Sequence, residues 1–102
     1  MKSPDLIVRP GVDARLELEL VDGFGKPQVR TGWTAELVVK ARHGGPTVFA
    51  AALSHRPGSL VLEVPGDESA TWTFGIGRYE IWMCKPGRLD VPHAGRVLVD
   101  RR

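Results

Sequence analysis

The side chains best suited to chemistry are three histidines, His43, His55 and His93, and a single cysteine, Cys84. A zinc site needs three or four His, Cys, Asp or Glu ligands at short internal spacings. The histidines fall in or beside predicted turns, far apart in sequence. They read as exposed turn residues, and no metal site is expected. Ser69, Asp90 and His93 supply the residue types of a hydrolytic triad, but no G-x-S-x-G context surrounds the serine. Gly75-Ile76-Gly77 is too short to cradle phosphates, and no helix is predicted after it. Cys84 has no partner for an intrachain disulfide, which fits synthesis in a reducing compartment, and it reads as a buried, inert thiol. No catalytic residue and no cofactor is expected, and the chain does not read as an enzyme.

The scaffold that would position such groups is small. The sequence has 102 residues, with 42% apolar and 25% charged side chains and a formal net charge of +2. These values are ordinary for one globular domain. Both signs of charge are scattered, so no nucleic-acid footprint is expected. No apolar run approaches the ~18 residues of a membrane span. Met1-Lys2-Ser3-Pro4-Asp5 opens without the apolar stretch of a signal peptide. The reading is a protein made in the cytoplasm.

The apolar periodicity is 2 along most of the chain, which is the period of half-buried strands. Leu6-Ile7-Val8 is a short first strand. Arg15 to Val21 alternates Leu16, Leu18 and Leu20 with Glu17 and Glu19. Asp22-Gly23-Phe24-Gly25-Lys26-Pro27 is a hairpin turn, with Gly23 and Gly25 supplying positive-φ positions. Further strands are predicted over Thr31 to Ala41, Val48 to Leu53, Leu60 to Val64, Tyr79 to Lys85 and Arg96 to Asp100. Asp67 and Ser69 are capping types that allow a short helical turn after Pro65. Pro86 to Gly95 reads as a loop. Gly77 is expected to turn the chain into a strand that buries the Tyr79 ring, whose hydroxyl then needs a partner, as in a tyrosine corner. About seven short strands separated by turns describe an all-β sandwich or small barrel.

Strand parity also separates inside from outside. Trp33 begins a strand and reads as core. Trp82 lies opposite Tyr79, Ile81 and Met83, so it faces outward or into a partner. Trp72 and Phe74 share a side if the chain is extended there. Val38, Val61 and Leu98 fall on outward faces beside charged neighbours. If these residues cluster around Trp82, they form an interface patch. Arg78 and Arg88 read as solvated arginines, and Arg101 and Arg102 as a basic terminal contact.

The order of the turn motifs adds a family resemblance. Arg9-Pro10-Gly11-Val12-Asp13 precedes the L-E-L-E-L strand, followed by Asp22-Gly23-Phe24-Gly25-Lys26-Pro27 and Thr31-Gly32-Trp33-Thr34-Ala35. Gly75-Ile76-Gly77-Arg78-Tyr79-Glu80-Ile81 and Gly95-Arg96-Val97-Leu98-Val99 come near the end. This series resembles the small immunoglobulin-like domains of tailed-phage structural proteins, among them the N-terminal domain of the baseplate upper protein. The G-D-T of that family stands here as Gly11-Val12-Asp13, with no Thr after it, and baseplate proteins of that type carry further domains.

The resemblance implies an immunoglobulin-like β-sandwich of about seven short antiparallel strands, filling residues 1–102 as one domain. It implies a non-enzymatic structural role in the virion, at the tail tip or baseplate, with capsid decoration or head–tail connection as the alternative. The partners would be other virion proteins and further copies of the chain in a symmetric oligomer. The N-terminal strand and the Val97–Arg102 segment are expected to dock on partner chains. The rival reading, a carbohydrate- or ligand-binding sandwich, would use Trp72, Phe74 and Trp82 as a stacking platform; buried rings would remove it.

Overall fold

Alternating side chains and six glycines at positive φ divide the chain into strands and tight turns. The computed structural model describes residues 3–42 and 44–101. The strands are β1 (Leu6–Val8), β2 (Ala14–Glu19), β3 (Thr34–Lys40), β4 (Thr47–Arg56), β5 (Ser59–Val64), β6 (Ile76–Lys85) and β7 (Arg88–Val99). One helical turn, α1 (Gly66–Ser69), interrupts the connection between β5 and β6. The expected all-β architecture is present. The strand order β1-β7-β6-β3-β4-β5-β2 folds into two layers because β4 serves both. Its first part pairs with β3, and Ser54–Arg56 pairs with β5.

One pairing departs from the antiparallel expectation: β1 runs parallel to β7, with Leu6 opposite Val97 and Val8 opposite Val99. A parallel pair needs a long connection, and here nearly the whole chain intervenes. The second departure is β7 itself. Residues 86–95 read as a loop because they hold two prolines and two glycines. Instead, Pro86-Gly87 makes a two-residue turn between Lys85 and Arg88, with Gly87 at φ 79°. Proline followed by a positive-φ glycine is the signature of a type II turn. Pro92 is accommodated where the register shifts, with Val91 and Pro92 together opposite Trp82. A bulge of that kind tolerates the missing N–H. At the other turns, Gly25 has positive φ but Gly23 does not. The Thr31–Trp33 segment is a turn closed by the Trp33 N–H donating to the Arg30 carbonyl, so β3 begins at Thr34.

The core lies between the layers. Leu6, Val8, Leu18, Leu37, Val39, Leu60, Leu62, Val64, Tyr79, Ile81, Met83 and Val97 are almost completely buried. Trp72 joins them, stacked on Phe74 with ring centroids 5.2 Å apart. Trp33 packs on the margin of this core and is partly buried. The Asp13 carboxylate accepts a hydrogen bond from the Gly66 N–H at 2.7 Å, and the buried Ser69 hydroxyl accepts one from Gly11. These bonds fasten the β1–β2 turn to α1, which gives Asp13 a structural task.

Tyr79 closes the molecule. Its ring is fully buried, and its hydroxyl donates to the Pro4 carbonyl at 2.6 Å. The expected partner therefore exists, 75 residues away in sequence. Gly95 provides the space: a Cβ there would stand 2.7 Å from the Tyr79 ring. Gly77 serves packing and not a turn, since a Cβ at Gly77 would meet the Lys40 carbonyl oxygen at 2.5 Å.

Two predictions follow from this latch. Gly95→Ala should cost about 1–3 kcal/mol of unfolding free energy in urea, the usual penalty for overpacking; a wild-type midpoint would refute the close fit. Burial, with a smaller push from Asp5, raises the Tyr79 hydroxyl from its ordinary 10 to about 12. The folded chain then holds this proton where the unfolded chain loses it, so stability should be complete below pH 10 and fall between pH 10 and 12. Tyr79→Phe should lack that part of the decline, and identical pH profiles for the two proteins would count against the latch.

Candidate interaction surface

The layer β1-β7-β6-β3-β4 presents a broad outer face whose rows follow from the register. Ile7, Leu98 and Ile76 form one cross-strand row, and Ile7 and Ile76 are 61% and 65% exposed. Arg96, Arg78 and Lys40 form the next, and Ala94, Glu80, Val38 and Ala50 the third. Trp82, Glu36 and Ala52 follow, and then Leu89, Cys84 and Thr34. Neighbouring charges are mostly paired. Lys40 lies 3.3 Å from Glu80, and Arg96 2.8 Å from Asp5. Asp5 raises the pKa of Arg96 through that hydrogen bond and its charge. The Trp82 indole N–H donates to Glu80.

The expected interface residues separate into groups. Trp82 and Leu98 share the outer face and are half-buried; Val61 is half-buried on β5 of the other layer. Val38 does not offer contact area as expected. It is 8% exposed, opposite a Glu80 side chain held by Lys40 and Trp82. Trp72 is a core residue at 6% exposure, and Phe74 is stacked on it. The three rings therefore form no common platform: Trp82 belongs to the outer face and Trp72 to the interior. Arg101 donates to the carbonyls of Trp72 and Phe74 at 3.0 and 2.8 Å, anchoring the chain end to its own fold. Arg102 lies outside the described residues.

Both ends expected to dock elsewhere are tied within the chain. β1 is paired with β7, the Asp100 N–H donates to the Val8 carbonyl, and Ser3 is 2.8 Å from His93 Nδ1. His93 is thus no free turn residue. Its Nε2 donates to the Glu19 carbonyl at 2.6 Å and links β7 to β2. His55 lies in β4, where its Nε2 meets the Trp33 carbonyl at 2.7 Å. His43 lies outside the described residues. Ser69 is engaged with Gly11 and Gly66 while His93 is engaged with Ser3 and Glu19, so the triad residue types are not brought together. Among the described residues, no group of three or more His, Cys, Asp or Glu is placed to hold a metal ion.

Sequence reasoning missed two features. The first is Arg30, whose side chain is 13% exposed. It bonds Asp90 at 2.7 Å and Gln28 at 2.9 Å, and its guanidinium carbon lies 4.9 Å from the Trp33 ring centroid. Lys85 lies 5.1 Å from the same ring. Arg30, Gln28, Asp90 and Trp33 line an open cleft of about 540 Å³ with Arg88 and Leu89. These residues come from distant segments, so no local motif announces it. Arg88 is exposed, as expected, but Arg78 is half-buried, with a buried Nε that finds no partner among the described residues.

The second is the edge of β4. Phe49, Ala51 and Leu53 point inward opposite Val39, Leu37 and Ala35. Ala50 and Ala52 lie on the outer face and are exposed. On its far side β4 is joined to β5 only from Ser54 onward. Alternate residues of an edge strand aim their main-chain groups away from the paired neighbour. Among the described residues, no main-chain hydrogen bond satisfies that far side from Thr47 to Leu53. Thr47 to Ser54 contains no charged residue. The opposite edges are different: β1 has three residues and touches β2, whose outer positions carry Arg15, Glu17 and Glu19.

Cys84 is exposed, with its sulfur 3.1 Å from the Thr34 hydroxyl. Its position on β6 opposite the inward Met83 outweighs the general tendency of free thiols to be buried. A neutral thiol reagent should modify Cys84 in the folded chain, one adduct per chain by mass spectrometry. Modification only after denaturation would show the thiol to be enclosed.

No family model matches the chain, and no curated protein matches it.

Proposed function

We propose that the chain is a non-enzymatic structural component of a tailed-phage virion, placed at the tail tip or baseplate and working through protein–protein contacts. The single observation that carries the reading is the open, uncharged edge of β4, in a layer whose outer face holds an exposed apolar row. Folded proteins normally blunt an edge with charge, proline or a very short strand, because it extends any sheet offered to it. An edge left open over a run of small and apolar residues suits a chain that assembles with other chains.

The order of the turn motifs supports the phage assignment. The buried Trp72 removes the stacking platform on which the ligand-binding reading rested. Capsid decoration or head–tail connection would use the same surface and remains the alternative placement in the virion. In this reading the chain is made in the host cytoplasm, with other virion proteins as partners.

The test is the mass of the purified chain in solution, alone and mixed with products of neighbouring genes. The expected result is a discrete oligomer or a stable complex with a tail or capsid protein. A persistent monomer that binds none of them would overturn the reading.

A further inference from the structure

We propose that the open edge of β4 is occupied by β4 of a second copy of this chain, antiparallel and related by a two-fold axis at Ala51. The proposal rests on the assembly role above and names the partner at that edge.

The register fixes where such a seam can lie. The regular part of the β3–β4 ladder runs from Phe49 to Leu53. A register shift at Val39/Lys40 bounds it on one side, and pairing with β5 from Ser54 bounds it on the other. Side chains opposite one another in an antiparallel pair lie on the same face. A two-fold axis at Ala51 therefore sets Ala50 against Ala52 of the second copy on the outer face. On the inner face it sets Phe49 against Leu53 of the second copy, and symmetry repeats both contacts. Phe49 and Leu53 are only partly buried and pack on the core margin, so the seam would cover their remaining apolar surface.

The absence of charge permits pairing with a second copy. A self-complementary interface places each group near its own image, so a charged edge repels itself. Thr47 to Ser54 offers no charge to oppose. The other edges of a neighbouring copy fit less well: β1 is too short to cover the run, and β2 brings Arg15, Glu17 and Glu19. A strand seam this short is far below the ~20–30 residues per side of a stable interface. The pair should therefore form at high concentration and dissociate on dilution, as suits copies gathered in an assembly.

The test uses the exposed pair Ala50 and Ala52, where substitution leaves the core untouched. Sedimentation velocity over a concentration series gives the dissociation constant. Ala50→Lys with Ala52→Lys puts two like-charge pairs across the seam and should raise that constant at least about tenfold. Ala50→Lys with Ala52→Glu puts opposite charges across the same seam and should return it to the wild-type value or below. Equal constants for all three proteins would refute the seam. A wild-type chain that stays monomeric but binds a tail or capsid protein would also refute self-pairing, while leaving the assembly role intact. Failure of both associations would overturn the two readings together.

Discussion

The Tyr79 hydroxyl on the Pro4 carbonyl is the contact through which the two ends of the sequence become one sheet. A three-residue strand contributes little pairing energy of its own, and termini are loose unless tied down. Here β1 is held by more than its ladder. Tyr79 fixes Pro4, Arg96 fixes Asp5, His93 meets Ser3, and the Asp100 N–H meets the Val8 carbonyl. The ring can occupy its place only because residue 95 has no side chain. Burial of the phenol is thus coupled to placement of Leu6 and Val8 in the core.

This arrangement distributes the edges unequally. The side where β1 and β2 approach one another is short, charged and bridged by His93. The side where β4 leaves β5 is longer, uncharged and open up to Leu53. The change of sheet within β4 produces that opening, because a strand that turns into a second layer cannot be covered along its whole length. The same bend allows a fold of this size to build two layers from seven strands. In the proposed role, architecture and association share one cause.

Much of the fold was legible in the alternation of side chains. The L-E-L-E-L run and the Tyr79, Ile81, Met83 series gave correct inner faces because each alternates over a half-buried strand. The long β7 was not legible. Its bulge at Val91-Pro92 breaks the period of 2, and its turn proline resembled the start of a loop. The parallel pairing of β1 was also out of reach, since a run of three apolar residues carries no direction. For the surface, parity placed Trp82 and Leu98 correctly on the outer face. It also placed Val38 on that face, but could not show that Val38 is covered, because burial there depends on neighbouring long side chains. Cys84 read as buried from the general tendency of free thiols, but its place on β6 next to the inward Met83 sets it on the outer face. Trp72 lies in an irregular connection where no period applies, so its place in the core emerged only from packing.

Residue-resolved amide hydrogen exchange of the chain over a range of concentrations tests whether one end of the sheet is latched and the other left open. In dilute solution the β1 amides that face β7 should be protected nearly as well as those of β6. Amides from Thr47 to Leu53 should alternate between protected and fast, as expected for a strand paired on one side, and concentration should slow only the fast set. Fast exchange throughout β1, or uniform protection from Thr47 to Leu53 at every concentration, would contradict the account.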